Sequence, residues 1–178
     1  MPSYVAFLRG INLGKRRIKM EDLRDAFTAM GLKDAQTLIA SGNVLFQADD
    51  ARDLVTRIES GLSERFGFEV PTILRSITAL EALTGNDPFT DHPETDDTKR
   101  YVFFLADDPA LAEIEIEKHV PGDYDVIART ESEIFAVAYR QPSGRFGEGL
   151  DALAKPFRTG ITNRNWNTVL RMIEKARG

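Results

Sequence analysis

Gln36-Thr-Leu-Ile-Ala-Ser-Gly-Asn-Val-Leu-Phe-Gln47 reads as two short strands, Gln36 to Ile39 and Val44 to Gln47, joined through Ala40-Ser41-Gly42-Asn43. Gly and Asn reach positive φ at little steric cost, which is what a tight hairpin turn needs. Upstream, Met20, Leu23, Phe27 and Met30 recur at i, i+3, i+7 and i+10 and predict an amphipathic helix, with Gly31 suited to its C′ position. Before that helix, residues 3–8 read as a buried strand, since their apolar residues do not alternate with polar ones. Downstream, Asp50 is expected to cap a second helix with Leu54, Ile58, Leu62 and Phe66 as its apolar line and Gly67 as its stop. Phe68 to Leu74 follows as a strand, and Pro71 places it at a sheet edge. The order β-α-β-β-α-β is the split βαβ pattern of a ferredoxin-like half.

The pattern restarts after a break. Ser76 to Leu83 is expected to be a short helix with Thr78-Ala-Leu-Glu81 as a capping box. Thr84 to Thr98, rich in Asp, Pro and Thr, has no periodicity and reads as a linker. Tyr101 to Leu105 is then a strand, and Asp108-Pro109 opens a helix with a cap and a proline at its first position. Tyr124 to Ala128 and Ile134 to Tyr139 form a hairpin through Thr130 to Ser132. Leu150 to Leu153 is a weak helical piece, and Trp166, Val169, Leu170 and Ile173 mark a C-terminal amphipathic helix. The expected fold is therefore α+β: two ferredoxin-like (split βαβ) halves in tandem, the second lacking or shortening its last strand. The divisions are 1–83 for the N-terminal half, 84–98 for the linker and 99–178 for the C-terminal α+β half.

Composition bounds the chemistry. Without cysteine there is no disulfide, thiolate nucleophile or Cys-based zinc site. No apolar run reaches membrane-spanning length, and Tyr4 to Leu8 is too short for a secretory segment, so a cytoplasmic protein with no membrane partner is expected. The net charge of −5 is uneven. Residues 1–24 hold six basic and two acidic residues, residues 145–178 seven and three, and the middle ten and twenty-three. Basic termini on an acidic body would attract an anion if the fold joins them; the Lys15-Arg16-Arg17 run also fits a merely solvated face. Nucleic-acid binding is opposed by the acidic middle and would require steep salt dependence.

Three segments are dense in Arg, Asn and Gly. In Phe7-Leu-Arg-Gly-Ile-Asn-Leu-Gly14, three residues stand between the glycines and Arg16 follows Lys15, so the four-residue spacing and the hydroxyl of a Walker A loop are both missing. What remains is a glycine-flanked turn with Arg9 at the strand end and Asn12 at the tip, able to hold an anion or equally to pair Arg9 and close a turn. Ser41-Gly42-Asn43 alone is a turn signal. Thr162-Asn-Arg-Asn165 precedes the C-terminal helix; one Asn accounts for a cap, but Arg164 opposes the helix dipole unless it faces a carboxylate or anion. Trp166 reads as core. His92 lies in an acidic linker without metal-ligand spacing, and His119 sits near a predicted helix end where a cap or dipole contact accounts for it. Tyr101-Val-Phe-Phe104 lacks the glycine of an RNA-binding strand motif and reads as core. There is no recognisable catalytic triad, P-loop or metal motif, and no cofactor is indicated.

These motifs, with Met20-x-x-Leu23, Phe66-Gly-Phe-Glu-Val-Pro71, Asp87-Pro-Phe89 and Arg164-Asn-Trp-Asn-Thr168 in this order, resemble domain-of-unknown-function family 1697 across nearly the whole chain. The resemblance implies a small α+β protein of two ferredoxin-like repeats and brings no activity, substrate or cofactor. It marks Arg9, Asn12, Ser41, Asn43, Arg164, Asn165 and Thr168 as motif positions, and Lys15 stands where a glycine is often found, making the first loop more basic. The leading expectation is a small phosphate- or carboxylate-bearing ligand clamped by Arg9 and Arg164, with Lys15, Ser41 and Thr168 lining the site and Asn12, Asn43 and Asn165 orienting the ligand. The rivals are an enzyme on such an anion with an acid or base not yet identified (Glu21 and Asp22 are nearest), and a protein whose Arg/Asn motifs form a buried inter-half network.

Overall fold

The computed structural model describes residues 1–38 and 42–178. By its contacts the chain divides into two compact units, 1–82 with 171–178 and 83–170. Both are α+β, each with one antiparallel sheet.

The first unit contains β1 (Ser3–Leu8), α1 (Met20–Ala29), β2 (Lys33–Leu38), β3 (Asn43–Gln47), α2 (Leu54–Phe66), β4 (Thr72–Ser76) and most of α3 (Ile77–Gly85). Its strands lie in the order β2-β3-β1-β4, all neighbours antiparallel. Alternation along β1 and β3 turns Tyr4, Ala6, Leu8, Val44 and Phe46 to one face, where Leu23 and Phe27 of α1 and Ile58 and Leu62 of α2 complete the core. Phe46 is fully buried between Tyr4 and Phe27, with ring centroids 5.8 and 5.4 Å away. Val5 and Phe7 on the other face of β1 are buried as well, as expected for that strand. Gly31 and Gly67 both take φ +80 just past their helices, the left-handed stop that their positions predicted. The strand expected over Phe68 to Leu74 begins only after Pro71, as Thr72–Ser76, and lies at the sheet edge that Pro71 implied.

Two caps differ from the reading of the sequence. Asp50 does not cap α2: its Oδ1 accepts the Arg52 N–H at 2.9 Å and its carboxylate pairs with the Arg52 guanidinium at 2.8 Å, so the helix starts only at Leu54. That pairing holds the Asp50 carboxyl below its ordinary range. In α3, Ser76 Oγ rather than Thr78 takes the cap, accepting the Ala79 N–H at 3.1 Å, because the helix begins at Ile77, two residues earlier than the capping-box spacing suggested.

The second unit contains β5 (Thr98–Leu105), α4 (Pro109–Ala112), β6 (His119–Val120), β7 (Tyr124–Arg129), β8 (Glu133–Tyr139), α5 (Leu150–Ala154), a 3-10 turn (Lys155–Phe157), β9 (Ile161–Asn165) and the start of α6 (Trp166–Arg177). The order is β6-β7-β8-β5-β9. Asp108 caps α4 from its side chain with Pro109 at the first position, as predicted, although the helix runs only four residues. The last strand expected to be short or missing is present: β9 pairs with β5 over five residues. Its polar Thr-Asn-Arg-Asn composition hides it from any apolar pattern, and the β5 backbone supplies the pairing that the side chains do not advertise. His119 lies on β6 and not at a helix end, since residues 114–118 form no helix.

Direct cross-strand pairing sets the faces. His119, Asp125, Val137 and Arg100 stand opposite one another in a line across four strands, and Val102 next to that line pairs with Arg164. The opposite face (Phe103, Ile134, Ala136, Ala138, Ile161) packs on Leu150, Leu153 and Phe157. On the polar face, Phe89, Phe135 and Trp166 form an aromatic cluster with centroids 5.2 to 6.0 Å apart.

Candidate functional site

In the first unit the chain leaves β1 at Leu8 and makes a loop to α1. Gly10 and Gly14 turn it at φ +66 and +62. Asn12 Oδ1 accepts the Ile18 N–H at 3.0 Å and ties tip to base, while the Arg16 N–H donates to the Leu13 carbonyl at 3.0 Å. Ile11 and Ile18 are buried anchors. Gly42 meets this loop from β3: its carbonyl accepts the Leu8 N–H at 2.8 Å, and it sits at φ +80. A Cβ there would lie 3.0 Å from the Leu8 carbonyl oxygen and 3.3 Å from Ile11 Cδ1, so the close approach requires glycine. Two of the three motifs therefore share one end of one sheet.

The loop's charge faces outward. Lys15, Arg16, Arg17 and Lys19 are exposed, with no acidic residue between 9 and 19. The Arg16 guanidinium is held in place, 4.5 Å from the Phe68 ring centroid and 3.8 Å from where a Gly10 Cβ would stand. Half-buried Arg9 begins the loop, its N–H donating to the Pro71 carbonyl at 3.0 Å. Asn43 is buried and its amide donates to the Leu38 carbonyl at 3.1 Å, bridging the ends of β2 and β3. Ser41 lies outside the described residues.

In the second unit, Arg164 is buried on β9, donating to Thr162 Oγ1 and to the Asn163 carbonyl, both at 2.7 Å. Asn165 Oδ1 accepts the Asn167 N–H at 2.9 Å and caps α6. Thr168 is half-buried in the first turn of that helix. Asn167 is the busier motif residue: it accepts from Arg100 Nη2 at 2.9 Å and donates to Glu94 Oε2 at 2.7 Å. The structure thus places Arg9, Asn12, Lys15 and Asn43 in the first unit and Arg164, Asn165 and Thr168 in the second.

Sequence reasoning missed three groups. Glu59 of α2 reaches the loop end of β4, where its Oε2 accepts the Thr72 N–H at 3.3 Å; partial burial, with Glu69 adding to it, raises its carboxyl above the ordinary range. Asp125 gathers the Tyr139 hydroxyl at 2.6 Å and His119 Nδ1, and these bonds hold its carboxyl low. Glu94 and Arg100 join Asn167 across 73 and 67 residues of sequence, a separation that no local motif reports. Among the described residues no three His, Cys, Asp or Glu side chains gather as metal ligands, and no helix is long and apolar enough to cross a membrane.

No curated protein matches the chain. Among solved structures it is similar to the conserved bacterial protein SP0830 of Streptococcus pneumoniae, at 23% identity and a TM-score of 0.72, covering 100% of this chain and 99% of that one. At that identity the likeness is one of fold. The family model described as protein of unknown function (DUF1697) matches residues 1–142. With that share of its 178 residues matched, the chain belongs to the DUF1697 family.

Proposed function

We propose that this protein binds a small ligand bearing phosphate or carboxylate, and that the ligand sits on the glycine-flanked loop of the first unit. One observation carries the reading. Lys15, Arg16, Arg17 and Lys19 are exposed on one loop, and none of them forms an ion pair with a carboxylate among the described residues, in a chain whose net charge is −5. Cations left unpaired on an acidic protein concentrate anions from solution. Arg9 and the positioned Arg16 offer planar forks for an oxyanion, and Lys15 adds a point charge. Asn12 and Asn43 shape the turns beneath. In the second unit, Arg164 and Asn165 make hydrogen bonds inside that unit, and Thr168 is half-buried in the first turn of α6. Behind this lies the finer fold reading that each unit is ferredoxin-like, supported by the shared core order β2-β3-β1-β4 and β7-β8-β5-β9. A cytoplasmic location is part of the same proposal.

The test is a calorimetric and thermal-shift screen against inorganic phosphate, nucleotides, sugar phosphates and di- and tricarboxylates, with Lys15→Ala/Arg17→Ala alongside. A ligand at 100 times its Kd adds about 2.7 kcal/mol of stability. The reading expects such a hit and at least a tenfold loss in the double variant at unchanged unliganded Tm. A hit of equal affinity in both proteins, or none in the wild type, overturns it.

An enzymatic reading has one observation in its favour, the raised Glu59 carboxyl beside the end of the loop strands. A carboxyl moved toward neutrality is better matched to proton transfer. Turnover of a bound phosphate ester, abolished in Glu59→Gln while binding persists, would support it; persistent turnover in that variant would refute it.

A further inference from the structure

The second unit holds a cleft of about 460 Å3 between the segment before β5 and the segment after β8. Its walls are fixed. The Arg140 N–H donates to the Asp97 carbonyl at 2.9 Å, and its guanidinium reaches the Asp96 carbonyl and lies 3.4 Å from Asp97 Oδ1. Thr98 Oγ1 accepts the Thr95 N–H at 2.9 Å. Phe146 forms one side, with Arg140 Cζ 5.0 Å and Lys99 Nζ 4.6 Å from its ring centroid.

The charges in this cleft are only partly paired. Glu94 and Asp96 contribute two carboxylates, Lys99 and Arg140 two cations. Arg140 is engaged by the 96–97 segment. The Lys99 side chain has no hydrogen bond or ion pair with any described residue; its ammonium rests on the Phe146 ring. The Asp96 carboxylate has no partner among the described residues, and Glu94 uses only Oε2, toward Asn167. Opposite charges that share a cleft would normally close on each other for about 1 kcal/mol. Here the Lys99 ammonium rests instead on the Phe146 ring, a cation–π contact worth a similar amount. A guest carrying both charges would satisfy both ends at once, and the volume lies at the metabolite end of the range for ligand pockets.

We infer that this cleft binds a small zwitterion of the amino-carboxylate class, with its ammonium toward Glu94 and Asp96 and its carboxylate toward Lys99. The site is separate from the proposed anion loop of the first unit. The whole protein is to be titrated calorimetrically with the free L-amino acids, and the best of them compared with its methyl ester, which lacks the carboxylate charge, and its N-acetyl form, which lacks the ammonium. The inference expects one or more amino acids to bind, with each blocked form at least tenfold weaker. Lys99→Met, which keeps an apolar stem on Phe146, and Asp96→Asn are expected to weaken the free amino acid by a similar factor at unchanged Tm. Lys15→Ala/Arg17→Ala is expected to leave it untouched, which separates this site from the loop. No binding by any amino acid, a blocked form binding as well as the free one, or unaltered affinity in both cleft variants would each overturn the inference.

Discussion

The segment 9–19 and the segment 162–168 look alike as strings, both mixing Arg with Asn, yet they are built in opposite senses. In the first, two positive-φ glycines and one asparagine bond do the structural work, and Lys15, Arg16, Arg17 and Lys19 are exposed. In the second, the backbone is an ordinary strand and helix start, and the side chains turn inward: Arg164 is buried on Thr162 and the Asn163 carbonyl, and Asn165 caps α6. The difference teaches that an Arg/Asn motif has no role of its own. Burial and the available hydrogen-bond partners decide whether the guanidinium is a staple or a hook for solvent anions.

That contrast can be broken most forcefully at Arg164. Arg164→Ala removes a buried charged donor from two acceptors, and we expect a loss of roughly 2–3 kcal/mol by urea unfolding. A change near zero would mean that the buried bonds contribute nothing net and the motif is not a staple. Asn165→Ala should cost less, about 1 kcal/mol for the lost cap, read as a fall in Tm of roughly 2–4 °C. At the other motif, Lys15→Ala/Arg17→Ala should stay within about 0.5 kcal/mol of the wild type, since exposed cations without a carboxylate partner stabilise little, and the bond from Arg17 to the neighbouring Arg16 carbonyl is itself exposed. A larger loss would show that the loop cations are structural too.

The smallest effect concerns acid stability. Asp125 is held below its ordinary 3.8 first by the Tyr139 hydroxyl and then by His119. A depressed carboxyl contributes stability that is complete above the unfolded value and disappears as pH falls through the folded value. Tyr139→Phe should therefore move the Asp125 titration upward, seen by carboxyl NMR, and shift the acid-unfolding midpoint to slightly higher pH. An unchanged titration would show that the Tyr139 bond does not set it. Glu59 has the opposite sign: its raised carboxyl disfavours the folded state as pH climbs past its ordinary 4.5. It therefore sharpens rather than offsets the contrast between the two carboxyls.

Much of this was legible in the sequence, for physical reasons that differ by element. The α1 and α2 periodicities and the stops at Gly31 and Gly67 are local signals, and each gave the right element. The β9 strand was not legible, because an edge strand of Thr, Asn and Arg shows no apolar alternation. Asp50 and Thr78 had the composition of caps but stood at the wrong register, with Arg52 capturing one and Ser76 replacing the other. The motif positions Arg9, Asn12 and Asn43 were visible, and the conjunction of Gly42 with the first loop could be suspected. The directions taken by Arg164 and Asn167 were not visible, since they depend on the register of β5 with β9 and on partners as distant as Glu94 and Arg100.

On this view the first motif meets ligand while the second holds the fold. The most direct measurement is a backbone amide NMR titration of the whole protein with inorganic phosphate at low ionic strength. Saturable shifts concentrated in residues 9–19 are expected, with 162–168 unmoved. Shifts centred on 162–168, or none in the first loop, would contradict it.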